Sequence, residues 1–227
     1  ILRKVKMMDL SYILNCYGEE SPGEILPVSP AIFQTSNFYF RSVDDFDEAI
    51  NNQENSNIYS RGNNPPSGIL RQKLAAVEGA EDALVFSSGM AAISSAIIAN
   101  LKKDDHVICV KHPYSWTNTL LTENILPRFG VNVTMVDGTT VGSVKEALNS
   151  RTALIYLESP NSWTFEVQDL EAIAELAQKR GIITIIDNSY STPLFQKPLS
   201  KGIDIVVHTA SKYLNGHSDV VAGVCCG

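Results

Sequence analysis

A chain of 227 residues with 44% hydrophobic and 19% charged residues can bury one substantial core, which excludes a disordered polymer. A formal charge of −7 without any Lys/Arg-rich run excludes nucleic acid as the expected partner. The longest apolar stretch, about residues 90–101, is interrupted by Ser94 and Ser95 and is too short to span a bilayer, so a soluble protein with a small-molecule partner is expected.

Residues 1–65 carry Pro22, Pro27, Pro30 and Pro65 among many Asn and Ser, with one short helical candidate at 44–51. Such a stretch is expected to be an extended arm that wraps on a second subunit. From Ala83 onward, apolar β-branched runs alternate with helical patterns, predicting a domain over 66–227 of the α/β class: a mainly parallel seven-stranded sheet covered by helices. The strand candidates are 83–86, 106–110, 132–136, 153–157, 182–186, 203–207 and 220–226. Their order in the sheet is not readable from periodicity. One helix is predicted over 90–101 and another over 170–180, where Leu170, Ile173, Ala174 and Ala177 share a stripe, Asp169 can cap the start and Gly181 the end.

The four cysteines, Cys16, Cys109, Cys225 and Cys226, have neither a disulfide framework nor metal-ligand spacing, and are expected to be reduced and mostly buried. The absence of a charged region followed by an apolar core and cleavage site points to the cytoplasm, although the chain opens on Ile1. The histidines, His106, His112, His208 and His217, show no metal-ligand spacing and are expected in hydrogen-bonded structural roles; no metal is predicted.

Three segments can carry chemistry. In VFSSGMAAISSA a strand, a small-residue turn and a helix start offer the N–H groups of Gly89 and Met90 to an anion. The segment is neither a dinucleotide fingerprint nor a Walker loop. In IITIIDNSYSTP, Asp187 ends a strand, where an open α/β sheet faces its ligand crevice. In HTASKYLNGHSD, Lys212 follows a strand with Thr209 and Ser211 beside it. Each has a plainer reading: a glycine that turns the chain, an aspartate that caps a turn, a surface lysine. One ligand would account for all of them together. Pyridoxal phosphate has a phosphate, an aldehyde that condenses with a lysine, and a ring nitrogen that a carboxylate keeps protonated.

The segments YSRGNNP, SSGMAAISSA, ESPNSWTFEVQD, IDNSYSTPLFQKPL and GIDIVVHTASKYLNGHSDVVAG resemble, in order and spacing, the Cys/Met-metabolism family of pyridoxal-phosphate enzymes, which contains cystathionine γ-synthases, cystathionine lyases and methionine γ-lyases. The resemblance runs from about residue 27 and implies the large domain of the aspartate-aminotransferase-like fold, fold type I, without the smaller C-terminal domain that supplies an arginine to the substrate carboxylate. It implies that Lys212 carries the cofactor as a Schiff base, that Asp187 contacts the pyridine nitrogen, and that Gly89, Met90, Thr209 and Ser211 bind the phosphate. Tyr114 would stack on the ring. Tyr59 and Arg61 would reach the phosphate in a neighbouring subunit of a homo-oligomer, a dimer of dimers.

Two departures alter the site. Ser162 and Trp163 stand where the family usually has Asn and Pro, changing a cofactor or substrate contact, and Tyr114-Ser115-Trp116 replaces a tyrosine followed by glycines, placing an indole where it could reshape the sulfur-side pocket. The resemblance leans to a carbon–sulfur lyase acting on cystathionine or a related sulfur amino acid. A γ-replacement transferase is the second reading, and a non-catalytic cofactor-binding scaffold the third.

Overall fold

The computed structural model describes residues 8–19 and 27–227; Pro22 and the opening residues of the expected arm lie outside them. The chain divides into two compact units, residues 1–77 and 78–227.

In the first unit, α1 (Leu10–Asn15) is capped by Asp9, whose side chain accepts from the Tyr12 N–H at 3.2 Å. Residues 27–41 form no helix or strand, and Asn37 makes only an isolated bridge to Tyr59. Helix α2 (Val43–Asn51) begins at Ser42, which caps Asp45 N–H at 3.0 Å, close to the expected 44–51. Helix α3 (Pro65–Glu78) was not foreseen as a helix. Its two prolines, which look like breakers in the sequence, occupy the first turn, where the backbone N–H has no intrahelical acceptor and the fixed φ of proline already suits the helix.

The second unit is built on a seven-stranded sheet in the order β1-β7-β6-β5-β4-β2-β3. The strands are β1 (Ala83–Phe86), β2 (His106–Val110), β3 (Asn132–Val136), β4 (Thr152–Glu158), β5 (Ile183–Asp187), β6 (Ile205–His208) and β7 (Gly223–Cys226). All seven expected strands are present, and β7 is antiparallel to both of its neighbours while the other pairings are parallel. Successive side chains of each strand go to opposite faces, so the β-branched runs feed two cores. On one face, Ile108, Ile155, Leu157, Ile186 and Val206 pack with Leu170, Ile173 and Ala177 of α8 (Leu170–Gln178) and Val144 of α7 (Val141–Ala147). On the other, Cys109, Leu154, Tyr156, Ile185 and Val207 pack with Ile93 and Ile97 of α4 (Gly89–Ala99) and Leu121 of α5 (Ser115–Thr122). Two one-turn helices, α6 (Ile125–Arg128) and α9 (Thr192–Phe195), complete the unit.

Asp169 caps α8 by accepting the Ala172 N–H at 3.1 Å, and Gly181, at φ +65°, turns the chain into β5. Among the cysteines, Cys109 and Cys226 are buried, Cys225 partly so, and Cys16 is exposed. His106 is buried between the hydroxyls of Thr152 and Thr134, 2.8 Å from each, and burial lowers its pKa.

Candidate active site

The carboxyl ends of β4, β5 and β6 lie side by side: Glu158 is in register with Asp187, and Asp187 with Val207. Each strand runs apolar to its last residues and then releases a polar one, so the sheet edge collects Glu158, Asp187 and the turn after His208 at one place. A cavity of about 590 Å³ opens there, and Tyr114, Ser162, Asp187, Thr209, Ser211 and Lys212 all line it. Six of the residues singled out in the sequence therefore share one wall system.

Lys212 Nζ stands 5.4 Å from the centre of the Tyr114 ring. The turn bearing Lys212 closes on itself through the Lys212 N–H to Thr209 O bond of 3.2 Å, and Thr209 N–H donates to Ser189 Oγ at 2.6 Å. Ser211 Oγ accepts from the Ala222 N–H at 2.9 Å, fastening the same turn to the chain that enters β7. Asp187 is 7% exposed and its Oδ1 accepts the Ser189 N–H at 2.9 Å.

Gly89 and Met90 are not cavity-lining residues. Gly89 is buried against Thr209: a Cβ there would come within 2.2 Å of Thr209 Oγ1 and 2.9 Å of Thr209 Cα. The start of α4 is thus packed directly behind a cavity-lining threonine, and the N–H groups of Gly89 and Met90 belong to the first turn, which has no intrahelical acceptors for them. Ser88 caps the third position through Ala91 N–H at 3.1 Å. Tyr59 and Arg61 lie in the first unit, where the Arg61 guanidinium sits 4.9 Å over the Tyr59 ring.

Several residues at the site carried no expectation. Glu158 is 3% exposed; its Oε2 accepts the Tyr114 N–H at 2.7 Å and its Oε1 the Ser162 N–H at 2.6 Å, with the Ser162 hydroxyl also donating to Oε1. Burial, and then the charge of Asp187, push its carboxyl above the ordinary value, against the pull of the donors from Ser162 and Tyr114. The signal that could have found it is the one that found Asp187, a carboxylate closing an apolar strand. Asn161, 1% exposed, donates to Lys111 O at 3.2 Å and His112 O at 2.9 Å and so joins the loop after β4 to the loop after β2. Phe165, Tyr190 and Tyr213 line the cavity as a chain of edge-to-face rings, at 5.6 and 5.9 Å between centres.

His217 makes the kind of hydrogen bond expected of it, its Nδ1 3.3 Å from Asn215 O, and the turn after Lys212 also places it on the cavity wall. One expectation, an indole of Trp116 reshaping the pocket, needs correction. Trp116 and Trp163 neither pack in the core nor line the cavity. They are 60% and 68% exposed, since α5 buries Thr117, Leu120 and Leu121 instead and Trp163 lies beyond the Asn161 turn. His208, just before the Thr209 turn, is buried with Nε2 3.4 Å from Glu78 Oε2.

A phosphorylated aromatic aldehyde fits these residues: an amine and an aromatic face meet in the cavity, a buried carboxylate lines the same cavity, and hydroxyls, one of them backed by a helix start, line it too. Comparison with known proteins gives the same chemistry. Residues 16–227 match the family described as Cys/Met metabolism PLP-dependent enzyme. An L-methionine gamma-lyase from Fusobacterium nucleatum subsp. nucleatum is 43% identical over 194 residues, 85% of this chain and 49% of that protein. The cystathionine beta-lyase MetC of Bacillus subtilis is 39% identical over 197 residues, 87% of this chain and 48% of that protein. A solved structure from Campylobacter jejuni, described as an O-acetylhomoserine (thiol)-lyase with N′-pyridoxyl-lysine-5′-monophosphate, superposes with a TM-score of 0.89 at 30% identity, covering 96% of this chain and 54% of its own. The chain spans about half the length of the curated relatives it matches. With its sheet order, its cavity lysine and a match over nearly all of its length, the chain belongs to the Cys/Met-metabolism family of enzymes that depend on pyridoxal phosphate.

Proposed function

We propose that this chain forms the cofactor-binding part of a carbon–sulfur lyase that acts on cystathionine or a related sulfur amino acid. The observation that carries the reading is the meeting of Lys212, Asp187, Tyr114 and Thr209 on one cavity of about 590 Å³. When bound, pyridoxal phosphate supplies a conjugated ring that accepts the electron pair released at the substrate's α-carbon.

The protein's own residues do the rest. Lys212 would hold the cofactor covalently, and its amine, when free, would take the proton from the substrate's α-carbon and return one to the departing side. The Asp187 carboxylate keeps a proton on the ring nitrogen, which makes electron withdrawal effective. Tyr114 gives one face of the ring an aromatic surface. Thr209, Ser211 and the N–H groups of Gly89 and Met90 hold the phosphate at the positive end of α4. Ser162, its hydroxyl committed to Glu158, contributes to the wall rather than a free donor. Tyr59 and Arg61 serve the phosphate in a neighbouring subunit of a homo-oligomer.

The second reading is γ-replacement on an activated homoserine. It is favoured by the 34% identity over 201 residues to the chloroplastic cystathionine gamma-synthase 1 of Arabidopsis thaliana, of which the match covers 36%. Incubation with cystathionine alone, and separately with an acylhomoserine plus cysteine, separates the two. Release of keto acid and thiol from cystathionine supports the lyase, whereas cystathionine formation without such release supports the transferase. A protein that stays colourless with added cofactor, and takes up no label on borohydride reduction, would defeat both.

A further inference from the structure

Glu158 is the one carboxylate besides Asp187 on the cavity wall, and the roles proposed above leave it without chemistry. Its two oxygens are divided between two different loops. Oε2 accepts the Tyr114 N–H from the loop after β2, at 2.7 Å, and Oε1 accepts the Ser162 N–H from the loop after β4, at 2.6 Å. The Ser162 hydroxyl adds a third donor to Oε1. Tyr114 carries the ring that faces Lys212, so the backbone position of that ring is fixed at its own N–H by the Glu158 side chain.

We propose that Glu158 is a positioning residue: a buried carboxylate latch that ties the Tyr114 wall to the Ser162 wall and thereby holds the Tyr114 ring in place for the cofactor that Lys212 would bind. The inference rests on the cofactor reading for its last clause only; the latch itself is a property of the cofactor-free chain. A carboxylate is the group the geometry demands, because three donors converge on it and it brings none of its own. A carboxamide keeps one accepting oxygen and turns an N–H₂ toward the other wall. The same loops are also joined by Asn161, which bonds to Lys111 O and His112 O, so removing the latch leaves the fold an independent tie.

The test has two arms on the 227-residue chain. In the first, amide hydrogen exchange of the cofactor-free protein is read at Tyr114 and Ser162. Glu158→Ala should accelerate both amides about ten- to a hundredfold, and Glu158→Gln one of them, as the loss of a hydrogen bond to a buried charge requires. Ser162→Ala should leave both unchanged. In the second, pyridoxal phosphate is added and borohydride reduction monitors attachment to Lys212, while the dichroism of the visible band reports ring orientation. Glu158→Gln should still attach the cofactor but lose at least half of the dichroism, with affinity about tenfold weaker. Unchanged protection of both amides in Glu158→Ala, or wild-type dichroism in Glu158→Gln, overturns the latch. Failure of the wild-type chain to attach cofactor would instead strike the proposed function, and the exchange measurement would still decide whether Glu158 ties the walls.

Discussion

The ammonium of Lys212 faces the Tyr114 ring across 5.4 Å, inside the range at which a cation is drawn to an aromatic face. The ring thus contributes both a surface and a modest electrostatic hold on the amine. Tyr114→Phe keeps the face and should leave cofactor affinity within about threefold, whereas Tyr114→Ala should weaken it by about two- to tenfold, matching the roughly 0.5–1.5 kcal/mol of an aromatic pair. Lys212→Ala should abolish borohydride attachment and lower turnover by about 10²- to 10⁴-fold, the usual yield of a positioned acid or base. Attachment that survives in Lys212→Ala would show that another amine reacts.

Asp187→Asn separates charge from hydrogen bonding. Its Oδ1 accepts the Ser189 N–H, and an asparagine oxygen accepts it equally, so unfolding free energy should change by no more than about 1 kcal/mol. The lost carboxylate should nevertheless cut keto-acid release by on the order of 10²-fold, the scale of removing one preorganised electrostatic partner. Turnover within threefold of wild type would dismiss the role assigned to the charge.

The ease with which Asp187 and Lys212 emerge from the sequence has a local cause. Each closes or follows a β-branched run, and in a parallel sheet every such run ends at the same edge, so convergence needs no knowledge of strand order. Glu158 obeys the same rule but stands one residue past the strand expected at 153–157, which the structure extends to include it. Strand order, and the antiparallel insertion of β7 between β1 and β6, depend on pairings between strands distant in sequence, Ala83 with Cys226 the farthest, which no local pattern encodes. Helix α3 was hidden by Pro65 and Pro66, which signal a break unless one knows that they fill a first turn. The exposure of Trp116 is likewise decided by which face of α5 meets Leu154 and Tyr156, a tertiary outcome.

Two buried groups should give opposite pH signatures. Glu158 is held above its ordinary value by burial and by Asp187, so the native state binds a proton there more tightly than the unfolded chain does. Its contribution to stability is fully present below the unfolded value and is lost as pH rises through the raised one. His106 is shifted down by burial, so its contribution is present above 6.5 and is lost as pH falls through the lowered value. Urea unfolding from pH 4 to 8 should show Glu158→Gln removing part of the decline on raising pH from the carboxylate range, and His106→Gln removing part of the decline below 6.5. The same slope in wild type and variant would dismiss the corresponding assignment.

Gly89 offers the most direct check that the start of α4 and the Lys212 turn are packed as one piece. A methyl group there would lie 2.2 Å from Thr209 Oγ1, 2.7 Å from its Cβ and 2.9 Å from its Cα, and the last of these is backbone that no rotamer change can move. Gly89→Ala should therefore destabilise the fold by about 1–3 kcal/mol, the cost of overpacking. It should also weaken cofactor binding, because the helix start and Thr209 must move apart. Truncating the threonine to alanine removes Oγ1 but leaves Cβ and Cα in place, so Gly89→Ala combined with Thr209→Ala should stay below wild type in both respects. Gly68, inside α3, provides the contrast: a Cβ there meets nothing within 4 Å, and Gly68→Ala should stabilise by about 1 kcal/mol from helix propensity alone. If Gly89→Ala proved as stable as wild type in urea unfolding, the close approach of α4 to Thr209 would be wrong, and the proposed phosphate cradle would lose its support.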